Sequence, residues 1–513
     1  MRVHDIESIL VLVLAATLLV RLADLGKIPA PIALVLGGLA IAFIPGLPSV
    51  ELEPDTIFLV FLPPLVYAAG WRTSPLELRA VMRPLALLSV GLVFLTAGAV
   101  ALVAHAMVPE LGWAEAAILG AILAPTDTVA ATSIFRRLGA PERVRLLVEG
   151  ESMINDGTAL VLYRIAVGVA TGSAFSFGGA ALEFVGIAAG GIVVGLVVGA
   201  LSDLVVRRLS DNDVTIMLTL LTAYAAYIGA EELHVSGILA AVVAGVYAGY
   251  RSPHSLAADV RLNAVAFWQV LVFGLEITLF ILLGLQLPDI VDTLKAGSGA
   301  VELLLPALAI AAVSLAVRLA FVFALRGEGG DTLGERFAVG WSGMRGAVSL
   351  AAALAVPLSV DGRPQIIFLT FALILITIVG QGLSLPFIVR ALKLEHPRRW
   401  SDEEAVARME AAQSALDRLD EMEGEGRASE AQLKRLRDLY RARFRMCQAV
   451  LGGEDPEVAA REQKIADYGL LRRELIGIER EELLTLRSAG RLRHETLRMI
   501  ERDLDLEEAR IRS

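Results

Sequence analysis

Six ionisable side chains stand inside stretches of sequence that are otherwise apolar: Asp127, Glu151, Asp156, Glu276, Arg318 and Arg345. A charge in hydrocarbon is costly, so each marks a candidate site of function. A helix rises about 1.5 Å per residue, which puts Asp156 roughly 18 Å, Arg345 roughly 15 Å and Asp127 roughly 12 Å in from the basic-loop end of its segment. Glu151 and Arg318 come out level, each roughly 10 Å deep, so they can pair and offset each other's burial. That pair reads as structural rather than chemical.

The run Glu-Gly-Glu-Ser-Met-Ile-Asn-Asp-Gly-Thr-Ala occupies residues 149–159. Burial disfavours the charged form of a carboxylate. A proton and a hard monovalent cation such as Na+ therefore compete for Asp156, and competition for one group is enough to couple the two ions. Ser152 and Thr126, by hydroxyl or freed carbonyl, can complete an oxygen shell around the cation. No histidine lies near this run, so neither a soft-metal site nor a zinc enzyme is indicated.

Two segments carry breaks at this depth. Ala124 to Asp127, Ala-Pro-Thr-Asp, sets a proline beside an acid, and Gly343 to Gly346, Gly-Met-Arg-Gly, sets flexible residues around a base. Backbone freed from a helix within a membrane must line a cavity or bury itself in protein. Transporters use such discontinuous helices and point their half-helix ends at ions. Asp127 is suited to neutralise positive N-terminal ends, and Arg345 negative C-terminal ends. Ordinary kinks would explain one break, but not two with deep charges of opposite sign.

The elements that must hold these residues are transmembrane helices. The 513 residues are 56% hydrophobic, and mean hydropathy is +0.64, too apolar for a soluble chain of this size. Segments of about 20 apolar residues are needed to span, and thirteen can be drawn: 6–22, 29–45, 55–71, 84–108, 113–135, 144–171, 179–206, 213–230, 234–250, 262–287, 301–325, 335–357 and 364–392. The first lacks a cleavage site and a basic leader, so it reads as a span rather than a signal peptide. Arginines crowd alternate loops, as in Arg136, Arg137, Arg143 and Arg145, whereas the opposite loops hold little beyond Lys295 and Arg363. That bias puts the N-terminus outside and the C-terminus in the cytoplasm of a cell inner membrane. The broken segments, fifth and twelfth, run in opposite directions, as an inverted repeat requires.

Residues 397–513 hold 49 charged residues, against 53 in the 396 before them. The step separates a transmembrane domain, 1–396, from a cytoplasmic tail, 397–513. Apolar positions such as Leu433, Leu436 and Leu439 recur at helical spacing, with breaks expected near Gly424, Gly426 and Gly452–Gly453. The tail carries no nucleotide-binding glycine motif, and nothing in the chain calls for a cofactor or a nucleic-acid partner. The single cysteine, Cys447, excludes an internal disulfide. The fold class expected is thus an all-α polytopic membrane protein with thirteen transmembrane helices, inverted repeats, two broken and crossing helices, and a helical cytoplasmic tail.

Four stretches carry a resemblance: Leu-Pro-Pro (62–64), Ala-Pro-Thr-Asp-Thr-Val-Ala (124–130), the run 149–159, and Gly-Met-Arg-Gly-Ala-Val-Ser-Leu (343–350). In these, and over about residues 6–395, the chain resembles the NhaP-like bacterial monovalent cation/proton antiporters of the sodium/proton exchanger superfamily. The resemblance implies that Asp156 carries the cation and the proton, and that Asn155 beside it marks electroneutral exchange. It places Thr126 and Asp127 at the unwound crossing of the fifth helix and pairs Glu151 with Arg318. It also implies a homodimer with a rigid interface domain and a mobile core moving like an elevator.

Two positions depart from the family pattern. An acid common four residues after the second proline of Leu-Pro-Pro is replaced by Ala68, and Glu276 stands where many relatives carry asparagine. Glu276 is a candidate pathway acid replacing the missing one, or else a carboxylate paired at an interface. Among other classes, a channel lacks a ring of acids or a carbonyl filter. A membrane enzyme lacks a nucleophile–base pair or metal cluster at a common depth. A cation-responsive sensor signalling through the tail stays open as the alternative.

Overall fold

The computed structural model describes residues 14–23, 25, 30–42, 54–127, 129–172, 176–209, 211–285, 302–325, 332–394, 402–424, 429–451, 456–488, 491 and 494–512. All regular structure among them is helical, as a chain must be where no water is at hand to satisfy its backbone. Several sequence expectations lie outside the described residues. They are the start of the segment at 6, the segment ends near 45 and 287, the loop bearing Lys295, and the tail breaks at Gly426 and Gly452–Gly453.

The chain divides into two compact units, Met1–Pro397 and Arg398–Ser513. The first unit opens with α1 (Leu14–Ala23), α2 (Ala30–Ala42), α3 (Pro54–Trp71), the short α4 (Pro75–Ala80) and α5 (Met82–Met107). It continues with α6 (Trp113–Leu123), α7 (Val129–Leu138), α8 (Glu142–Ala170), α9 (Phe177–Val206), α10 (Asn212–Glu232), α11 (Gly237–Ser255) and α12 (Ala258–Leu285). It closes with α13 (Leu304–Ala324), α14 (Leu333–Trp341), α15 (Ala347–Leu354) and α16 (Arg363–Ala391). Seven of these, α5, α8, α9, α10, α12, α13 and α16, are long and apolar enough to cross a membrane.

Burial separates the helices by role. Helix α6 is enclosed, with Ile118, Leu119, Ile122 and Leu123 all buried, and it packs into one core with Phe371 and Ile374 of α16 and Leu350 of α15. By contrast α9 leaves Leu182, Val185, Val197 and Leu201 more than half exposed, the surface a lipid-facing helix presents. A second core, around Tyr67, Trp268 and Ala244, joins α3, α10, α11 and α12. There Trp268 stacks on Tyr67 with ring centroids 5.2 Å apart and donates its indole N–H to Thr219 Oγ1 at 3.1 Å.

Two apolar segments read from the sequence are not continuous helices. The stretch 113–135 is split into α6 and α7 by a non-helical passage at Ala124–Asp127. Pro125 has no N–H for the helical ladder and clashes with the preceding turn. The stretch 335–357 is split likewise into α14 and α15 by residues 342–346. A capping box of Thr332 and Glu335 starts α14. In α5 one turn, Leu87–Gly91, widens to a π-helix, and within it Ser89 Oγ donates to the carbonyl of Glu151 at 3.3 Å.

The second unit contains α17 (Asp402–Gly424), α18 (Glu430–Leu451), α19 (Pro456–Ser488) and α20 (His494–Arg512). Arg437 of α18 reaches back to Asp420 and Glu423 of α17, at 2.7 and 2.5 Å. Arg480 of α19 holds Asp505 and Glu508 of α20 at 2.6 and 2.8 Å. Leu433 and Cys447 of α18 are buried, whereas Leu436 and Leu439, expected on the same apolar face, are exposed.

Candidate functional site

The two breaks meet each other. Asp127 N–H donates to the carbonyl of Met344 at 2.8 Å, joining the two non-helical passages directly. Arg345 Nη1 donates to the carbonyls of Ala124 and Pro125, both at 2.6 Å. These oxygens follow the C-terminus of α6, where orphaned carbonyls concentrate negative charge. Reciprocally, the Asp127 carboxylate lies against Gly346, one residue before α15 begins; a Cβ added to Gly346 would collide with it. Each break thus supplies the charge that suits the other's half-helix end.

A buried polar chain runs beside the crossing. Asn155 Nδ2 donates to Thr126 Oγ1 at 3.0 Å, and Thr126 Oγ1 donates to Glu151 Oε1 at 3.2 Å. Glu151 accepts from both terminal nitrogens of Arg318, Nη2 to Oε2 at 2.8 Å. Arg318 also donates through Nε and Nη2 to the carbonyl of Val339, at 3.3 and 3.1 Å. Glu151 and Arg318 are 1% and 2% exposed, so the charges answer each other where no solvent does. Gly343 makes room for this pair, since a Cβ there would strike the Arg318 side chain.

Asp156 follows Asn155 on α8 and faces another way. It lines an open cavity of about 390 Å³ together with Ser152, Asp127 and Glu276. Ser152 precedes Asp156 by one helical turn, so both look into the cavity from one face of α8. Ala68 borders this same cavity, and so do Arg72, Arg136 and Glu149. Arg136 and Glu149 pair at 2.8 Å.

The structure therefore gathers Asp156, Ser152, Asp127 and Glu276 around one space, and sets Glu151, Arg318, Arg345, Asn155 and Thr126 behind it as a buried scaffold. Thr126 differs from the expectation that its hydroxyl helps ligate a cation: that hydroxyl is engaged by Glu151 and Asn155, and Thr126 is not among the residues lining the cavity. Asn155 Oδ1, also buried, has no hydrogen-bond donor among the described residues. The sequence reading missed Arg136 and Glu149 as cavity residues. Arg136 counted there only towards orientation, and nothing in linear spacing ties it to Glu149.

Known proteins resemble the chain in family and fold. Residues 9–391 match the family described as sodium/hydrogen exchanger, transmembrane. An Na+/H+ exchanger of Mycobacterium tuberculosis, itself uncharacterised, is 35% identical over 99% of this chain and 96% of its own length. The low-affinity Na+/H+ antiporter NhaS1 of Synechocystis is 34% identical over 79% of this chain and 78% of its own. Among solved structures, the sodium proton antiporter MjNhaP1 of Methanocaldococcus jannaschii shares the fold, with a TM-score of 0.62 at 20% identity. The match covers 76% of this chain and 99% of that one.

Proposed function

This chain belongs to the sodium/hydrogen exchanger family as an NhaP-like member, and we propose that it exchanges a cytoplasmic monovalent cation for external protons through Asp156. The observation that carries the reading is the position of Asp156. It lines a 390 Å³ cavity together with Ser152 and Asp127, beside the crossing of two broken helices whose ends face Asp127 and Arg345. The carboxylate is thus left to bind whichever ion enters. Na+ is the first candidate cation, with Li+ and K+ in competition; a Bacillus pumilus relative, 33% identical over 70% of this chain, is named a sodium, potassium, lithium and rubidium/H+ antiporter.

In this reading Asp156 and Ser152 offer oxygens to the cation, with the backbone carbonyl of Thr126 as a further ligand. Proton binding at Asp156 expels the cation, and cation binding expels the proton. Asn155 brings no second titrating group to the site, so one proton exchanges for one cation and the cycle is electroneutral. The helices with the breaks, α5 to α8 and α13 to α16, form a core that moves past the helices joined through Tyr67 and Trp268. We place thirteen spans in the bilayer, related by an inverted repeat, with the N-terminus outside and residues 397–513 in the cytoplasm. The unit is a homodimer in the cell inner membrane, serving pH homeostasis. The cavity, bordered by Arg72 just after α3 and by Arg136 in the last turn of α7, then opens to the cytoplasm.

Glu276 shares the cavity with Ala68, which supports its role as the pathway acid in place of the one lost. A sensor signalling through the tail is not favoured, because relatives covering most of the chain are named exchangers or antiporters.

Transport in proteoliposomes, with Na+, Li+ and K+ in turn and with or without an imposed potential, tests the reading. A charge crossing the membrane gains about 2.3 kcal/mol per 100 mV, so an electrogenic cycle cannot hide. The expected result is cation-driven proton movement whose rate ignores the potential. Exchange accelerated by potential would contradict electroneutrality, and no exchange with any cation would contradict antiport.

A further inference from the structure

The cavities on α8 form a series. Asp156 borders the 390 Å³ vestibule and also a void of about 10 Å³ on its other side, shared with Leu160 and Tyr163. Leu160 in turn borders a third space, again about 10 Å³, which ends at Arg164 and Glu231. Asp156, Leu160 and Arg164 are spaced by four residues, so they line one face of the helix. A space of this size holds about one water molecule. On this side of Asp156 the route is therefore marked out but shut.

What shuts it is visible. Arg164 Nη2 pairs with Glu231 Oε2, and Glu231 Oε1 accepts the N–H of Gly237 at 3.2 Å. Glu231 is thus fixed to α10 and to the start of α11, and the ion pair ties α8 to both. One turn before Leu160, Gly157 meets Leu239 of α11 so closely that a Cβ on Gly157 would lie 2.9 Å from Leu239 Cγ. At this level α8 and α11 leave no gap between them. The Arg164 and Glu231 side chains are 34% and 33% exposed, so they can separate without leaving a buried charge stranded.

We propose that Leu160 and the Arg164–Glu231 pair are the closed gate on the side of Asp156 away from the vestibule. Leu160 plugs the route and the ion pair locks α8 against α10 and α11. The lock opens once per cycle, when the core slides. Its strength sets how much of the protein rests with the vestibule open. The gate rests on the alternating-access reading above, and it adds residues that neither the sequence motifs nor the deep charges pointed to.

The test is sided labelling of the full chain in membranes. Leu160→Cys is placed in a Cys447→Ser background, which removes the one native cysteine. A membrane-impermeant maleimide is applied from the side opposite the vestibule, using intact cells and everted vesicles to separate the two faces. With the pair intact, labelling is slow. Glu231→Gln and Arg164→Gln should each speed it about threefold or more, the population shift expected on losing a half-exposed ion pair. The double exchange Arg164→Glu with Glu231→Arg should return it towards the starting rate. If one single variant fails to reach the membrane, the other and the exchanged pair carry the comparison. Labelling that is unchanged by the variants overturns the gate, as does labelling that is raised but not restored by the charge exchange. Asp156→Asn is assayed for transport in parallel. Loss of transport there with insensitive labelling rejects the gate alone, whereas retained transport rejects the site on which it rests.

Discussion

Arg345, in the second helix break, donates to the carbonyl oxygens of Ala124 and Pro125 in the first, both at 2.6 Å. The contact is reciprocal in kind, because Asp127 of the first break lies against Gly346 at the entry to α15. Four half-helix ends come together deep in the protein, and two are matched by charges from the opposite segment. A helix end carries about half an elementary charge, so Asp127 and Arg345 also hold each other's neighbourhood near neutrality.

Gly346 tests how tightly the crossing is built. Gly346→Ala puts a methyl group where the Asp127 carboxylate lies, and the displaced side chain is not a free end but part of the crossing. Such overpacking costs about 1–3 kcal/mol. Thermal stability in detergent, followed by loss of the monodisperse elution peak, should fall, and exchange should fall with it. Gly98, whose added Cβ would meet nothing within 4 Å, is the control; Gly98→Ala should leave both measures near the parent. Equal behaviour of the two variants would mean that Asp127 does not hold its place against Gly346.

The Glu151–Arg318 pair should matter for folding more than for ion selection. Removing one partner, as in Glu151→Gln or Arg318→Gln, leaves an uncompensated buried charge and should cost about 3–5 kcal/mol. Replacing both removes the stranded charge, so the double variant should be more stable than either single one. Its Na+ dependence, measured in vesicles at matched protein, should stay within about threefold of the parent, since the pair does not line the cavity. A double variant as unstable as the singles would show that the partners act separately.

Glu276 and Ala68 make a complementary pair of tests. If Glu276 draws cations into the vestibule, Glu276→Gln should raise the half-saturating Na+ concentration by roughly two- to fivefold, with the difference shrinking at high ionic strength. Ala68→Glu introduced into that variant restores an acid to the same cavity and should recover part of the loss. Unchanged Na+ dependence and pH profile in Glu276→Gln would leave Glu276 as a carboxylate serving packing alone.

Much of the scaffold was readable from residue types. Pro125 cannot continue a helix, and Gly343 and Gly346 beside Arg345 signalled the second interruption. The level depths of Glu151 and Arg318 pointed to one another because depth is a one-dimensional property, and sequence carries it. Lateral position is not carried. Nothing in the chain told which hydroxyl would be taken up by neighbours, and Thr126 is taken up by Glu151 and Asn155, whereas Ser152 lines the cavity. Arg164 and Glu231 escaped notice for a similar reason. Glu231 falls just past the end of stretch 213–230, where charges are common. Arg164 lies as far inside 144–171 as Glu151 does but has no partner at its depth in the linear pattern, and their meeting depends on how α8 packs against α10 and α11.

Whether one carboxylate serves both ions is read out in everted membrane vesicles. With a respiration-driven proton gradient reported by a quenched dye, added Na+ should dequench the parent protein. Its half-saturating Na+ should rise as pH falls, approaching roughly tenfold per pH unit where the proton dominates, because each cation bound displaces one proton. Asp156→Asn, present at the parent level in the membrane, should give no dequenching at any pH or Na+ concentration. Dequenching by Asp156→Asn with the parent's Na+ and pH dependence would mean that a group other than Asp156 carries the two ions.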